Sequence, residues 1–229
     1  MSKTLIENHD IVVPGALLAE GSYKYGDGII KKGDNYFATV VGLFLDKGEL
    51  IQVKALKAKY VPRPGDLVIG KVVEISLTSW IVDIACPFIA ILSANNAIEK
   101  RFDSVKDDVR KIFDIGDIIL TKIFAFDRTR DPSLVTNERG LGKLRGGRII
   151  EIESAHIPRV IGKKGTMINM IKRLTRTQII TGQNGRIWVQ GKKPEDELRA
   201  IEAIRKIERE AFTQNLTNRI QSFLSEKQS

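Results

Sequence analysis

From Arg148 onward the spacing of apolar residues changes from short alternating runs to helical intervals, and this change limits the possible folds more than any other feature of the chain. Arg148-Ile149-Ile150-Glu151-Ile152 reads as a strand, and Ile157-Pro158-Arg159-Val160-Ile161 as a one-turn helix with proline near its first position. Thr166 is placed to cap a second helix, whose Ile168, Ile171 and Leu174 follow helical spacing with Met167 and Met170 beside them. Gln178-Ile179-Ile180-Thr181 and Arg186-Ile187-Trp188-Val189-Gln190 form a hairpin across Asn184-Gly185. A long helix follows. It opens at Pro194-Glu195-Asp196-Glu197, where acids suit the positive helix end, and carries Leu198, Ile201, Ile204 and Ile207 on one face. The order is strand, helix, helix, strand, strand, helix, that of a small α+β domain.

Upstream the period is that of strands. Val61-Pro62-Arg63-Pro64 can continue neither a ladder nor a helix, because proline lacks the N–H and restricts the residue before it, so a domain boundary is expected there. Beyond it, Gly65-Asp66-Leu67-Val68-Ile69-Gly70-Lys71-Val72 resembles Gly116-Asp117-Ile118-Ile119-Leu120-Thr121-Lys122-Ile123, two openings of the same pattern that suit two strands of one barrel. About five short strands over roughly 80 residues predict a closed OB-like barrel. Residues before the boundary are rich in glycine turns and read as a small β unit, with a hairpin running from Tyr36 to Leu45, turning at Asp46-Lys47-Gly48-Glu49 and returning through Leu50 to Val53. The glycines between Gly26 and Gly33 are turns, since no phosphate-loop lysine and hydroxyl residue follow them. With 229 residues the chain has room for two or three such domains.

The chemistry this composition permits is narrow. A net charge of +9 favours a polyanionic partner. Cys86, the single cysteine, lies in the apolar run Ile84-Ala85-Cys86 and reads as a core thiol; with only His9 and His156 beside it there is no ligand set for a metal centre. The acids Asp103, Asp107 and Asp108 alternate with Lys100, Arg101, Lys106 and Arg110, as on a solvated helix. No catalytic constellation can be assembled and no cofactor is implied. The apolar stretch Trp80 to Leu92 contains Asp83 and Pro87 and is too short to span a bilayer; with no secretory signal at the start, a cytoplasmic location is expected.

Between the first two helices of the C-terminal unit stands Gly162-Lys163-Lys164-Gly165, flanked by Ile161 and Ile168. Glycines allow a tight turn and close approach of a nucleic-acid backbone, the lysines supply charge, and the next helix offers free N–H groups. From Arg159 to Arg176 the cations Arg159, Lys163, Lys164, Lys172, Arg173 and Arg176 meet no acid. The barrel adds Lys122 and a basic loop region of Arg128, Arg130, Arg139, Lys143, Arg145 and Arg148, partly balanced by Asp127, Asp131 and Glu138. That composition favours phosphate tracking over base reading. Trp80 and Phe88 fit either a core or a base-stacking role.

The GxxG loop in this element order resembles the KH family, type I, over about Arg148 to Ala211. The resemblance implies a grip on the backbone of about four nucleotides of single-stranded RNA, with Gly162, Lys163, Lys164 and Gly165 on phosphates and Ile161 and Ile168 lining the groove. The barrel resembles an S1 domain. The combination, with Leu141-Gly142-Lys143-Leu144-Arg145-Gly146-Gly147 as linker, resembles the archaeal exosome cap subunits that carry S1 and KH domains. The resemblance implies an N-terminal β domain (residues 1–62) docking on a hexameric ring of RNase PH-like subunits, an S1 barrel (63–147) near the pore, and a KH domain with a C-terminal helix (148–229). It also implies three copies per complex, with phosphorolytic 3′-to-5′ degradation belonging to the ring and none to this chain. The alternative is an S1-KH transcription or translation factor binding nascent or ribosomal RNA, although such factors usually carry two KH units and this chain has one GxxG. A scaffold whose basic surfaces bind proteins is the third reading.

Overall fold

In the computed structural model the chain forms two compact units, residues 1–58 and 59–229. The structure describes all residues except 1–2, 57–58, 99–101, 103–107, 128, 212, 214 and 227–229. Most of the charged segment that contains Asp103 and Asp107 with Lys100, Arg101 and Lys106 therefore lies outside the described residues. Asp108 is described, and its carboxylate accepts the Arg110 N–H at 3.0 Å.

The first unit has strands β1 (Lys3–Thr4), β2 (Ile11–Val12), β3 (Leu17–Glu20), β4 (Lys24–Tyr25), β5 (Ile29–Lys32), β6 (Asn35–Ala38), β7 (Gly42–Asp46) and β8 (Leu50–Ala55). They form two four-stranded sheets, β1-β3-β6-β5 and β2-β7-β8-β4. Leu18, Tyr36, Phe44 and Ile51 are fully buried between them. Tyr36 satisfies its buried hydroxyl by donating to the Tyr23 carbonyl at 2.9 Å and accepting the Tyr23 N–H at 3.0 Å. The expected hairpin is half right. β7 and β8 pair across the predicted turn, with Asp46 opposite Ile51, but the run from Tyr36 to Leu45 is two strands in two sheets. Tyr36, Ala38, Gly42 and Phe44 are all buried, so the period-two alternation continues through the corner and conceals the break.

The second unit begins with a barrel. Strands β9 (Leu67–Ile75), β10 (Ser79–Asp83) and β11 (Ala90–Ser93) lead to a short helix α1 (Ala94–Ala97), then β12 (Ile118–Asp127), β13 (Arg130–Val135) and the short β14 (Gly142–Lys143). β9, β10 and β11 pair antiparallel in sequence, β11 pairs β13 in parallel, β13 pairs β12, and β12 returns to β9. The ring of five is closed in OB order. The two similar openings are neighbours as expected: Gly65 N–H donates to the Ile123 carbonyl and Gly116 N–H to the Val72 carbonyl, each at 2.8 Å, so each turn is tied to the middle of the other strand. Trp80 is core, fully buried, with its indole N–H on the Phe113 carbonyl at 2.9 Å. Phe88 is half-buried, its ring edge-on to Phe126 at 4.9 Å. The half-buried Cys86 thiol lies 3.3 Å from the Phe88 carbonyl.

The C-terminal part carries β15 (Arg148–Glu151), α2 (Ile157–Ile161), α3 (Thr166–Thr175), β16 (Thr177–Thr181), β17 (Arg186–Gly191), α4 (Pro194–Arg209) and α5 (Leu216–Glu226). The antiparallel sheet runs β15-β17-β16 and the helices bury Ile157, Val160, Ile171, Ile204 and Ile207 against it. This is a type I KH arrangement. Two details differ from expectation. Thr166 is the first helical residue and makes no cap bond, because Gly165 occupies the cap position with left-handed angles. On α4, Leu198 is 46 % exposed, while Ala200 and Ala203 face the core with Ile204 and Ile207, small side chains that let the helix approach the sheet closely. α5 packs through Leu216, Ile220 and Leu224, four residues apart and all buried.

Barrel and KH sheet are joined by the turn between β16 and β17. Asn184, 5 % exposed, donates its amide to the carbonyls of Ile69 (2.8 Å) and Ile84 (2.9 Å) and accepts the Ile69 N–H at 3.3 Å. Arg186, 9 % exposed, donates to the Asp83 carbonyl and carboxylate at 2.6 Å each and to Glu151 at 2.8 Å. Partial burial pushes the Asp83 carboxyl up, but the Arg186 and Ala85 hydrogen bonds and the Arg186 and Lys71 charges hold it net below its ordinary value. Beside these groups Ile69, Leu120 and Trp188 form an apolar seam, and the Trp188 indole donates to the Gly146 carbonyl at 2.8 Å. Replacing Asn184 by Ala strands three backbone groups of the barrel, and is expected to lower stability by about 2–3 kcal/mol. Urea unfolding of the full chain measures this; an unchanged midpoint contradicts it.

Candidate nucleic-acid interface

The GKKG loop owes its shape to two glycines in different conformations. α2 stops at Gly162, whose angles (φ 74°, ψ 173°) lie in a region essentially reserved to glycine. A Cβ there would also sit 2.7 Å from the Met167 Cβ and 2.8 Å from the Met167 nitrogen. Lys164 (φ 52°, ψ 31°) and Gly165 (φ 77°, ψ 10°) are both left-handed. Hydrogen bonds close the turn, Gly162 N–H to the Pro158 carbonyl at 2.9 Å and Gly165 N–H to the Gly162 carbonyl at 3.1 Å. Lys163 and Lys164 are exposed. α3 begins at once, so its positive end stands beside two ammonium groups, an arrangement that attracts anions.

The remaining candidates divide by what they already hold. Lys172 is half-buried and Arg173 exposed, and like Lys163 and Lys164 they make no ion pair among the described residues. Ile161 is half-buried against the KH core, and Ile168, at 7 % exposure, belongs to that core and leaves little surface for a base. Arg159 is exposed but donates its Nε–H to the Ala211 carbonyl at 2.6 Å. Four barrel and linker cations have carboxylate partners: Lys122 with Glu138 at 2.9 Å, Arg130 with Asp127 at 3.8 Å, Lys143 with Asp117 at 2.6 Å, and Arg148 with Glu197 at 3.1 Å. Slight burial raises the Asp117 carboxyl, yet the Asp114 N–H and Lys143 hold it net below its ordinary value. Arg139 and Arg145 are exposed without an ion pair among the described residues. Arg128 lies outside the described residues.

Sequence reasoning missed two features. Phe124 on β12 is 65 % exposed next to the buried Ile123, an outward aromatic that strand alternation alone points to. A groove of about 510 Å³ also opens between the loop and the start of α5, with Arg159, Lys163, Thr166, Asn215 and Thr217 in its walls. The four-residue spacing of Leu216, Ile220 and Leu224 was the signal for α5. Among the described residues no group of three or more His, Cys, Asp or Glu is placed to hold a metal, and no helix is long and apolar enough to cross a membrane.

Comparison with known proteins agrees with this architecture. Residues 9–57 match the family described as the exosome RNA binding protein RRP4 N-terminal domain, residues 59–124 the RRP4 S1 domain, and residues 147–195 the KH domain. The chain is 47 % identical over 226 residues to the exosome complex component Rrp4 of Thermococcus kodakarensis, covering 98 % of this chain and 88 % of the relative. The chain belongs to the Rrp4 family. The same component of Thermofilum pendens is 39 % identical over 225 residues, 97 % of this chain and 95 % of the relative. A crystal structure of a candidate exosome complex RNA-binding protein, 38 % identical, superposes with a TM-score of 0.70 over 75 % of this chain and 98 % of that one. Within this Rrp4-family chain the KH match contains the GKKG loop, whereas α5 lies beyond its end.

The loop's backbone sets the cost of adding a methyl group. Gly165→Ala, a left-handed position with room, is expected to cost about 1 kcal/mol. Gly162→Ala, strained and obstructed, is expected to cost about 2–3 kcal/mol. Thermal unfolding of both variants checks the order, and a reversed ranking contradicts the geometry.

Proposed function

We propose that this chain is the RNA-binding subunit of an exosome, a cytoplasmic complex in which it captures single-stranded RNA and presents the 3′ end to an RNase PH-like ring that degrades it phosphorolytically. The observation that carries the reading is the GKKG loop: two exposed lysines, with no ion pair among the described residues, on a glycine turn at a helix start, in a chain of the Rrp4 family. The lysines there neutralise RNA phosphates and release the counterions condensed on the RNA, while residues 1–62 dock on the ring, the S1 barrel (63–147) lies along the path to its pore, and residues 148–229 form the gripping domain. Three copies around the ring place three clamps about one entrance. The chain itself supplies positioning and charge, and bond cleavage takes place in the ring.

Replacing Lys163 and Lys164 with Asp is expected to weaken single-stranded RNA binding across sequences. Each lost phosphate contact lowers the log-log salt slope by roughly 0.7. A slope unchanged from the parent chain overturns the clamp. The complex is tested by co-purification of the tagged chain from its own cells, with phosphate-dependent RNA degradation assayed in the eluate and in the isolated chain. Activity is expected in the eluate alone; an inactive eluate containing ribosomal or polymerase subunits favours the transcription or translation factor.

A further inference from the structure

The groove between the clamp loop and α5 is a feature that the βααββα unit by itself does not provide. Its lining brings together two cationic residues, Arg159 and Lys163, the polar Thr166, Asn215 and Thr217, and the buried apolar Met167 and Leu216. Among the described residues no carboxylate lines it. Glu210, which precedes this wall in the chain, is held by Lys206 at 3.0 Å and Arg219 at 3.2 Å, so its charge is already matched. Arg159 fixes the wall in place through the bond from its Nε to the Ala211 carbonyl, and its two terminal nitrogens remain as donors. At about 510 Å³ the groove falls within the ordinary range of small-ligand sites and is large enough for one nucleotide unit.

We propose that this groove holds one further nucleotide of the strand gripped by the clamp loop, with its phosphate against Arg159 and Lys163 and its sugar against Thr166, Asn215 and Thr217. The proposal rests on the RNA-binding reading above and extends it to α5. The chemistry is that of a sugar-phosphate unit: cations for the phosphate, neutral donors and acceptors for hydroxyls, and apolar lining from Met167 and Leu216 beside them. Lys163 then contributes to two neighbouring phosphates, one on each side of the loop, and the bound strand is longer by one nucleotide than the roughly four that a KH loop grips.

The test measures full-length chain binding to single-stranded RNA oligonucleotides lengthened one nucleotide at a time, at several salt concentrations. Thr217→Asp places a negative charge in the groove at a helix start that tolerates acids, so the fold is expected to persist. It should weaken binding about ten-fold, the order of one charge-assisted contact, and the gain in affinity with length should end one nucleotide earlier than in the parent. Ser222→Asp, exposed farther along α5, adds the same charge outside the groove and should leave the length dependence unchanged. If Thr217→Asp lowers the melting temperature, Asn215→Asp carries the same test from the chain just before the helix. Groove variants that bind like Ser222→Asp, while the Lys163 and Lys164 double substitution loses RNA, overturn the proposal and leave the RNA-binding reading intact. If the double substitution also binds normally, both fail together.

Discussion

The contact on which the second unit depends is the seating of one turn, Gly182 to Gly185, on the backbone of the barrel. Asn184 answers two carbonyls and one N–H of the barrel backbone, and Gln183 N–H reaches the Leu67 carbonyl at 2.7 Å. A side-chain amide matched to three backbone groups at low exposure specifies position much more sharply than an apolar seam, which tolerates sliding. Arg186 then links Asp83 of the barrel to Glu151 of the KH sheet, so strand β15, which leads toward α2 and the clamp loop, is fixed from the same point. The clamp is thus held in a constant relation to the barrel. A strand bound at both places gains from a separation that need not be ordered at the moment of binding.

Local order was legible from the sequence because it rests on periodicity. The Gly-Asp openings at 65 and 116, the βααββα order and the Asn184-Gly185 hairpin all follow from spacing and turn chemistry, and the barrel and KH domain could be expected before any coordinates. The failures share a cause: they depend on which neighbour a residue meets. Residues 36–45 keep a single inward parity across two sheets, so no pattern marks the corner. Leu198 carries the stronger apolar signal than Ala200 or Ala203, yet the closely packed face of α4 needs small residues. Thr166 has the chemistry of a cap, but Gly165 already makes the turn.

The candidate site was legible in its centre and blurred at its rim for an electrostatic reason. A sum of charge over a sequence counts a lysine the same way whether or not a carboxylate lies within 4 Å of it. Lys122, Arg130, Lys143 and Arg148 do have such partners. A phosphate arriving at one of them must displace a carboxylate that is part of the protein, and the net gain shrinks toward the small worth of a surface ion pair. At Lys163 and Lys164, which make no ion pair among the described residues, a phosphate would displace solvent and mobile ions and free condensed counterions from the RNA. On the proposed RNA-binding reading, the two basic regions that look alike in sequence therefore differ in what they could give to binding: a phosphate at Lys163 or Lys164 gains more than one at a barrel cation that already has a carboxylate partner.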